Sequence, residues 1–307
     1  MPGSDDPASS PRAPALGNMA ASANRPIVPD HESLRLIGSG AYGEVWLARS
    51  VTGAFRAVKV IHRGRFEDQR PFEREFSGIQ KFEPVSRRHT SQLAVLHVGR
   101  NDDYFYYIME LADDANAERG VRSAESGTRG PEWHEETPAS VPHSAFRIPH
   151  SINPDTYVPK TLKSELTRRG RLPGDECLHV ALSLTTALEH LHQNGLVHRD
   201  IKPSNIIFVG GIPKLADIGL VAARDATLSF VGTEGFIPPE GPGTSAADIY
   251  SLGKVFYEMC TGRDRQEYPE LPTGLREIAD REALVEINEI ILKIGRASCR
   301  ERVCQYV

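Results

Sequence analysis

The sequence predicts an α+β fold in which a strand-rich first part is followed by a larger helical part. Three observations predict it. Short alternating apolar runs crowd the chain before residue 112, helical periodicities dominate after residue 160, and a stretch poor in aliphatic residues separates the two. The 307 residues suffice for one two-lobed domain or two small ones.

Composition narrows the function. With 39% hydrophobic and 25% charged residues, a globular core is expected. The net charge of -5 argues against nucleic-acid binding. No apolar run approaches the length of a membrane span. The N-terminus lacks the basic-then-apolar pattern of a signal peptide, which points to the cytoplasm. Cys177, Cys260, Cys299 and Cys304 show neither metal-ligand nor disulfide-framework spacing, as suits a reducing compartment.

In chain order, residues 1–30 are rich in Pro, Ala and Ser and read as a disordered leader, with Met19 an alternative start. Leu34–Ile37 and Glu44–Ala48 read as strands on either side of Gly38-Ser39-Gly40-Ala41-Tyr42-Gly43. A dinucleotide site would need a helix directly after these glycines, so that phosphates meet its N-terminus. Alternating β-type residues follow instead, which favours a hairpin laid over phosphates. There Gly38, Gly40 and Gly43 would let the backbone approach phosphate oxygens with its amides unobstructed.

Phe55–Ile61 alternates as a half-buried strand and carries Lys59 in an apolar setting. Phe72, Phe76, Ile79 and Phe82 fall at helical spacing within 69–82. Beside them stand Glu75, the preferred acidic partner for Lys59, and Glu73, its competitor. Leu93–Val98 and Tyr104–Met109 read as strands around an Asn-Asp-Asp turn. Residues 113–159 are too long and polar for an ordinary connection and read as an exposed insertion, whose His134, His143 and His150 lack ligand spacing. A short helix over 161–166 precedes a long one over 175–193. Its apolar face is read as Leu178, Ala181, Leu182, Leu184, Thr185, Leu188 and Leu191, with Gly195 ending it.

That helix delivers the chain to His198-Arg199-Asp200-Ile201-Lys202-Pro203-Ser204-Asn205. One loop thus holds a general-base candidate, Asp200, a fixed cation, Lys202, and an amide oxygen, Asn205. After an apolar run, Asp217-Ile218-Gly219 adds a carboxylate. Phosphoryl transfer asks for a carboxylate to position the acceptor hydroxyl, an Asp and an Asn to hold metal, and positive charge on the phosphates. An isolated His-Arg-Asp would read as a charged turn. The further residues at these spacings make it a catalytic loop.

Together with Ala57-Val58-Lys59, Gly232-Thr233-Glu234-Gly235-Phe236-Ile237-Pro238-Pro239-Glu240 and Asp248-Ile249-Tyr250-Ser251-Leu252-Gly253, these motifs mark a resemblance. Residues 34 to about 293 resemble a bacterial, eukaryotic-like serine/threonine protein kinase. The resemblance implies a bilobal kinase-like fold: residues 31–112 as the N-lobe and hinge, and 160–293 as the C-lobe. It also implies ATP and Mg2+ between the lobes and transfer of the γ-phosphate to Ser or Thr hydroxyls of protein substrates in signalling. Val45 and Ala57 would pack on adenine, Met109 would be the gatekeeper, and Glu110 and Ala112 would offer hinge backbone to the base. Lys59, paired with Glu75, would contact the α- and β-phosphates. Asp200 would orient the acceptor, Asn205 and Asp217 would hold Mg2+, and Lys202 with Thr233 would favour Ser/Thr acceptors. Asp248 would tie its helix to the catalytic-loop backbone. Thr227 and Ser229 would be autophosphorylation sites for a partner copy, with Arg199 as the phosphate-binding cation.

The sequence departs from the family at three places. Ile218 stands for the usual Phe, and Pro238-Pro239-Glu240 for Ala-Pro-Glu. The arginine that usually pairs with that glutamate is not found. Residues 294–307 resemble translated sequencing adapter, so an incomplete C-lobe is expected there, and a longer parent could be membrane-anchored. The rival readings are a pseudokinase that only binds nucleotide or partners, an inactive truncated fragment, and, third, a small-molecule kinase.

Overall fold

The computed structural model describes residues 25–40, 43–66, 68–117, 152–217, 222–223, 233–239, 241–273 and 279–304, with backbone alone for 222–223 and 295–304. The fold is bilobal α+β. Strands β1 (His31–Ser39), β2 (Glu44–Ser50), β3 (Phe55–His62), β4 (Val95–Arg100) and β5 (Tyr104–Met109) form one antiparallel sheet in the order β1-β2-β3-β5-β4. Helix α1 (Gln69–Ser86) covers its inner face.

The spacing of aromatics on α1 explains that packing. Phe72, Ile79 and Phe82 are buried, and Phe105 of β5 meets Phe72 edge-on at 5.1 Å and Phe76 at 5.2 Å. Trp46, Ala48, Val58, Val60, Tyr106 and Ile108 form a second cluster with Val28 on the other face. β3 is therefore buried on both faces, more than its alternation suggests. Lys59 shares its inner face with Ala57 and Ile61. β4 starts two residues later than expected, because the Leu93 amide donates to the Leu215 carbonyl and the Ala94 amide to the Glu110 carboxylate.

The helical lobe comprises α2 (Leu162–Arg169), α3 (Gly174–Gln193), α4 (Ser245–Thr261) and α5 (Arg281–Cys304). Two small two-stranded pieces stand beside them: β6 (Leu196–Val197) paired with β9 (Ala222–Ala223), and the hairpin β7 (Ile206–Val209)–β8 (Ile212–Leu215). Thr161 and Ser164 cap α2 reciprocally, and Thr244 caps α4. The α5 backbone continues past the pattern break expected at residue 294, through residues that contain no proline.

Three expectations need correction. Residues 25–30, expected to fall in the disordered leader, pack on the sheet: Val28 is buried and bridges His31, and the Ser33 hydroxyl donates to Pro26 O at 2.8 Å. Leu178 and Leu182 are 53% and 59% exposed and Thr185 is exposed too, so they do not belong to the buried face of α3. That face is Cys177, Val180, Leu184, Ala187, Leu188 and Leu191, an i, i+3, i+4, i+7 stripe that fits one helical side. The stretch 113–159 is also not exposed throughout. Its two roots pair: Ala115 N–H donates to Val158 O (2.8 Å), Lys160 N–H to Asp113 O (2.8 Å) and the Asn116 side-chain amide to Thr156 O (2.8 Å). These bonds make a short stem, in which Tyr157 is buried. Residues 118–151 lie outside the described residues.

The two kinds of leucine on α3 separate in unfolding. Leu184→Ala is expected to cost about 2–5 kcal/mol through the cavity it leaves, whereas Leu182→Ala stays within about 0.5 kcal/mol. Urea denaturation of both variants checks this, and equal losses would refute the assigned face.

Candidate active site

The loop after α3 is held by its backbone. Gly195 (φ 72°) turns the chain out of the helix, and β6 carries it to His198. Asp248, in the first turn of α4, then accepts from His198 N–H (2.7 Å) and Arg199 N–H (2.8 Å) and lies 2.9 Å from His192 Nε2. A carboxylate 1% exposed would be costly without such donors. The bonds also fix Arg199 at φ 72°, a conformation a non-glycine residue seldom adopts. Burial lowers the Arg199 guanidinium pKa, Asp248 opposes that, and Arg74 of α1 adds to the lowering. His198 Nε2 lies 3.0 Å from Ala216 O and so joins the loop to the residue before Asp217.

Four predicted residues are brought into one cluster. Asp200 Oδ2 accepts from Lys202 Nζ (2.7 Å) and Asn205 Nδ2 (2.9 Å), while Asp200 Oδ1 accepts from Thr233 Oγ1 (2.8 Å). Lys202 Nζ also donates to Thr233 Oγ1 at 2.8 Å. Asn205 Nδ2 donates to the Asp200 carbonyl as well (2.9 Å). Its amide nitrogen is thereby committed, and Oδ1 keeps only a long 3.5 Å contact from Ser204. Thr233 sits on a loop held from the helical side by Ser251, whose hydroxyl donates to Phe236 O at 2.8 Å.

Lys59 lies opposite Val45 of β2 and Tyr107 of β5 and forms an ion pair with Asp217 Oδ1. The pair expected between Lys59 and Glu75 is not formed. Glu75 does turn inward, yet its Oε2 is buried without a hydrogen-bond partner. Burial pushes the Glu75 carboxyl up to about 8; Lys59 offsets this in part, and Asp217 adds to it. Burial works to lower the Lys59 pKa, but the Asp217 carboxylate overrides it and holds the ammonium above its ordinary value. Asp217 is held below its ordinary value, first by Lys59. The competing Glu73 faces outward, bonded to Arg100 at 2.5 and 2.9 Å. Tyr107, paired in register with Lys59, buries its hydroxyl beside that ammonium; nothing in an aromatic strand marks it in the sequence.

The remaining predicted residues line the sheet and its exit. A strand follows the glycines, with Ser39 paired to Glu44, so the turn is a hairpin. Gly40 N–H donates to Gly43 O (2.9 Å). A Cβ on Gly43 would lie 2.6 Å from Val60 O, whereas one on Gly40 would meet nothing within 4 Å and one on Gly38 only Val45 at 3.6 Å or beyond. Ala57 pairs with Met109, and both are buried. The Glu110 side chain accepts from Lys214 Nζ (2.7 Å) and Ala94 N–H (2.9 Å). Ala112 is buried, its carbonyl bonded to Tyr157. Ile218, Gly219, Thr227, Ser229, Gly232 and Glu240, and the Arg296 side chain, lie outside the described residues.

Comparison with known proteins agrees with this geometry. The protein kinase domain family matches residues 154–295. The serine/threonine-protein kinase PrkC of Bacillus subtilis is 27% identical over 248 residues, 76% of this chain and 30% of PrkC. PknA of Corynebacterium glutamicum is 29% identical over 76% of this chain and 43% of its own length, and the kinase drp72 of Corynebacterium efficiens 31% over 77% and 40%. The chain thus spans less than half the length of these relatives. By motif order, fold and similarity, residues 154–295 match the protein kinase domain, and the chain resembles the eukaryotic-like serine/threonine kinases of bacteria.

Proposed function

We propose that this chain transfers the γ-phosphate of ATP to Ser or Thr hydroxyls of protein substrates, on the cytoplasmic side where ATP is supplied. The observation that carries the reading is the Asp200–Lys202–Thr233–Asn205 cluster beside the Lys59–Asp217 pair. Thr233 Oγ1, 2.8 Å from both the Asp200 carboxylate and the Lys202 ammonium, marks how a hydroxyl meets the two groups. An acceptor Ser or Thr that took this position would donate its proton toward Asp200, with Lys202 beside the phosphoryl group it receives.

Asn205 and Asp217 fit a hard cation. Both present oxygens, and the Asn205 amide nitrogen is already committed, which leaves Oδ1 as an under-used acceptor. Mg2+ held there would neutralise charge on the ATP phosphates. Lys59 would serve the same phosphates from β3, with Glu75 its second carboxylate partner when Asp217 is engaged elsewhere. The Ala112 N–H and Glu110 carbonyl, which take part in none of the bonds described above, would face the adenine edge between Val45, Ala57 and Met109.

Two measurements test this. Asp200→Asn is expected to reduce Ser/Thr phosphate incorporation from labelled ATP by roughly 10²–10⁴-fold while leaving ATP affinity within about threefold. Undiminished transfer would sink the assignment. The second concerns Glu75, whose carboxyl stands at about 8 in the fold against an ordinary 4.5. The folded state then holds a proton that the unfolded state has lost, so this stability is present below pH 4.5 and lost as pH rises to 8. Glu75→Gln cannot ionise. The difference between its unfolding free energy without nucleotide and the parent's should widen in its favour from pH 5 to pH 8, by at most about 1.4 kcal/mol per pH unit. A constant margin would refute the buried, neutral carboxyl.

A further inference from the structure

The turn at 153–158, which forms the second root of the stem ahead of α2, makes bonds that a plain connection does not need. Asn153 O accepts from Thr156 N–H (3.2 Å) and Tyr157 N–H (2.9 Å), and Asn153 Oδ1 accepts from Asp155 N–H (3.0 Å), which closes a tight turn. Tyr157 is 1% exposed and donates its hydroxyl to the Ala112 carbonyl at 3.0 Å. A buried phenol needs such a partner; that this one is the hinge carbonyl ties the turn to the chain that joins the lobes.

The other side of the same turn grips the sheet. Arg35 of β1 donates Nε to Pro154 O at 2.9 Å and Nη2 to Tyr157 O. Bonds from a guanidinium are stronger than those between neutral groups, and two carbonyls on one turn suit its fixed fork. β1 is an edge strand whose neighbour in the sheet is β2 alone, and the glycine turn begins three residues after Arg35. An edge strand gains most from a second anchor.

We propose that residues 153–158 form a strap that fixes β1 against the hinge, making Arg35 and Tyr157 positioning residues for the nucleotide under the glycine turn. The nucleotide part of this rests on the kinase reading; the strap itself does not. Arg35 acts through β1, and Tyr157 through Ala112. Both lie outside the Asp200 cluster, so their loss should change how nucleotide is held more than how phosphate is transferred.

The test compares the full chain with Arg35→Met, Arg35→Lys and Tyr157→Phe by hydrogen exchange and ATP titration. Arg35→Met keeps the apolar stem and loses both bonds. Amides of 31–39 and 153–158 should exchange roughly tenfold faster, with β3 and α3 unchanged, and ATP should bind about five- to tenfold more weakly. At saturating ATP, kcat should stay within about twofold, a split that general destabilisation would not give. Arg35→Lys, able to reach one carbonyl, should fall between, and Tyr157→Phe should loosen 110–113 as well as 153–158. Unchanged exchange over 31–39 in Arg35→Met overturns the strap. Faster exchange with unaltered ATP affinity overturns the positioning role. A parent chain that binds no ATP overturns the kinase reading of the cleft, and the exchange arm still decides the strap.

Discussion

Asp248 accepts hydrogen bonds from two consecutive backbone amides, His198 and Arg199, and lies within bonding distance of His192. It comes from α4, fifty residues away in sequence from His198, and is buried from solvent. Each neighbouring feature depends on it. The amides point at the carboxylate only because Arg199 adopts its positive φ, and that twist sends Asp200 toward Lys202, Asn205 and Thr233. The strain is maintained because charge-assisted bonds in a buried setting outweigh it. Losing the carboxylate would leave two buried amides without partners and release the twist together.

The electrostatics of the cleft follow from having more acid than base at its centre. Lys59 has Asp217 and Glu75 within its field but pairs with one. The carboxyl left over sits in an apolar wall and takes up a proton rather than a charge. The two acids are thus distinguished by environment, Asp217 held ionised by Lys59 and Glu75 kept neutral by burial.

What the sequence made legible was local. The catalytic loop declares itself because its polar residues fall within eight positions, and the glycine hairpin because a strand follows it. Element boundaries in the sheet came close, since alternating runs end where turn residues begin. Three things were out of reach for the same physical reason. The choice of Lys59 between Asp217 and Glu75 rests on a contact spanning 158 residues and on the rotation of α1. Leucine alone could not show that Leu184 is buried and Leu182 exposed, because both fall within a wide apolar arc and only the neighbouring elements choose between them. The polar composition around Tyr157 suggested solvent, whereas its hydroxyl has a specific acceptor in the hinge.

The three glycines of the hairpin, alike in sequence, are held by different forces. At Gly43 the Val60 carbonyl leaves no room for a side chain, so a methyl group there would push strands apart before any ligand arrived. Gly38 and Gly40 have room to spare in the fold itself. If they must be glycine, the reason lies in what passes over them. Natural selection would therefore guard Gly43 through the abundance of folded protein, and Gly38 and Gly40 only through the chemistry done beneath them.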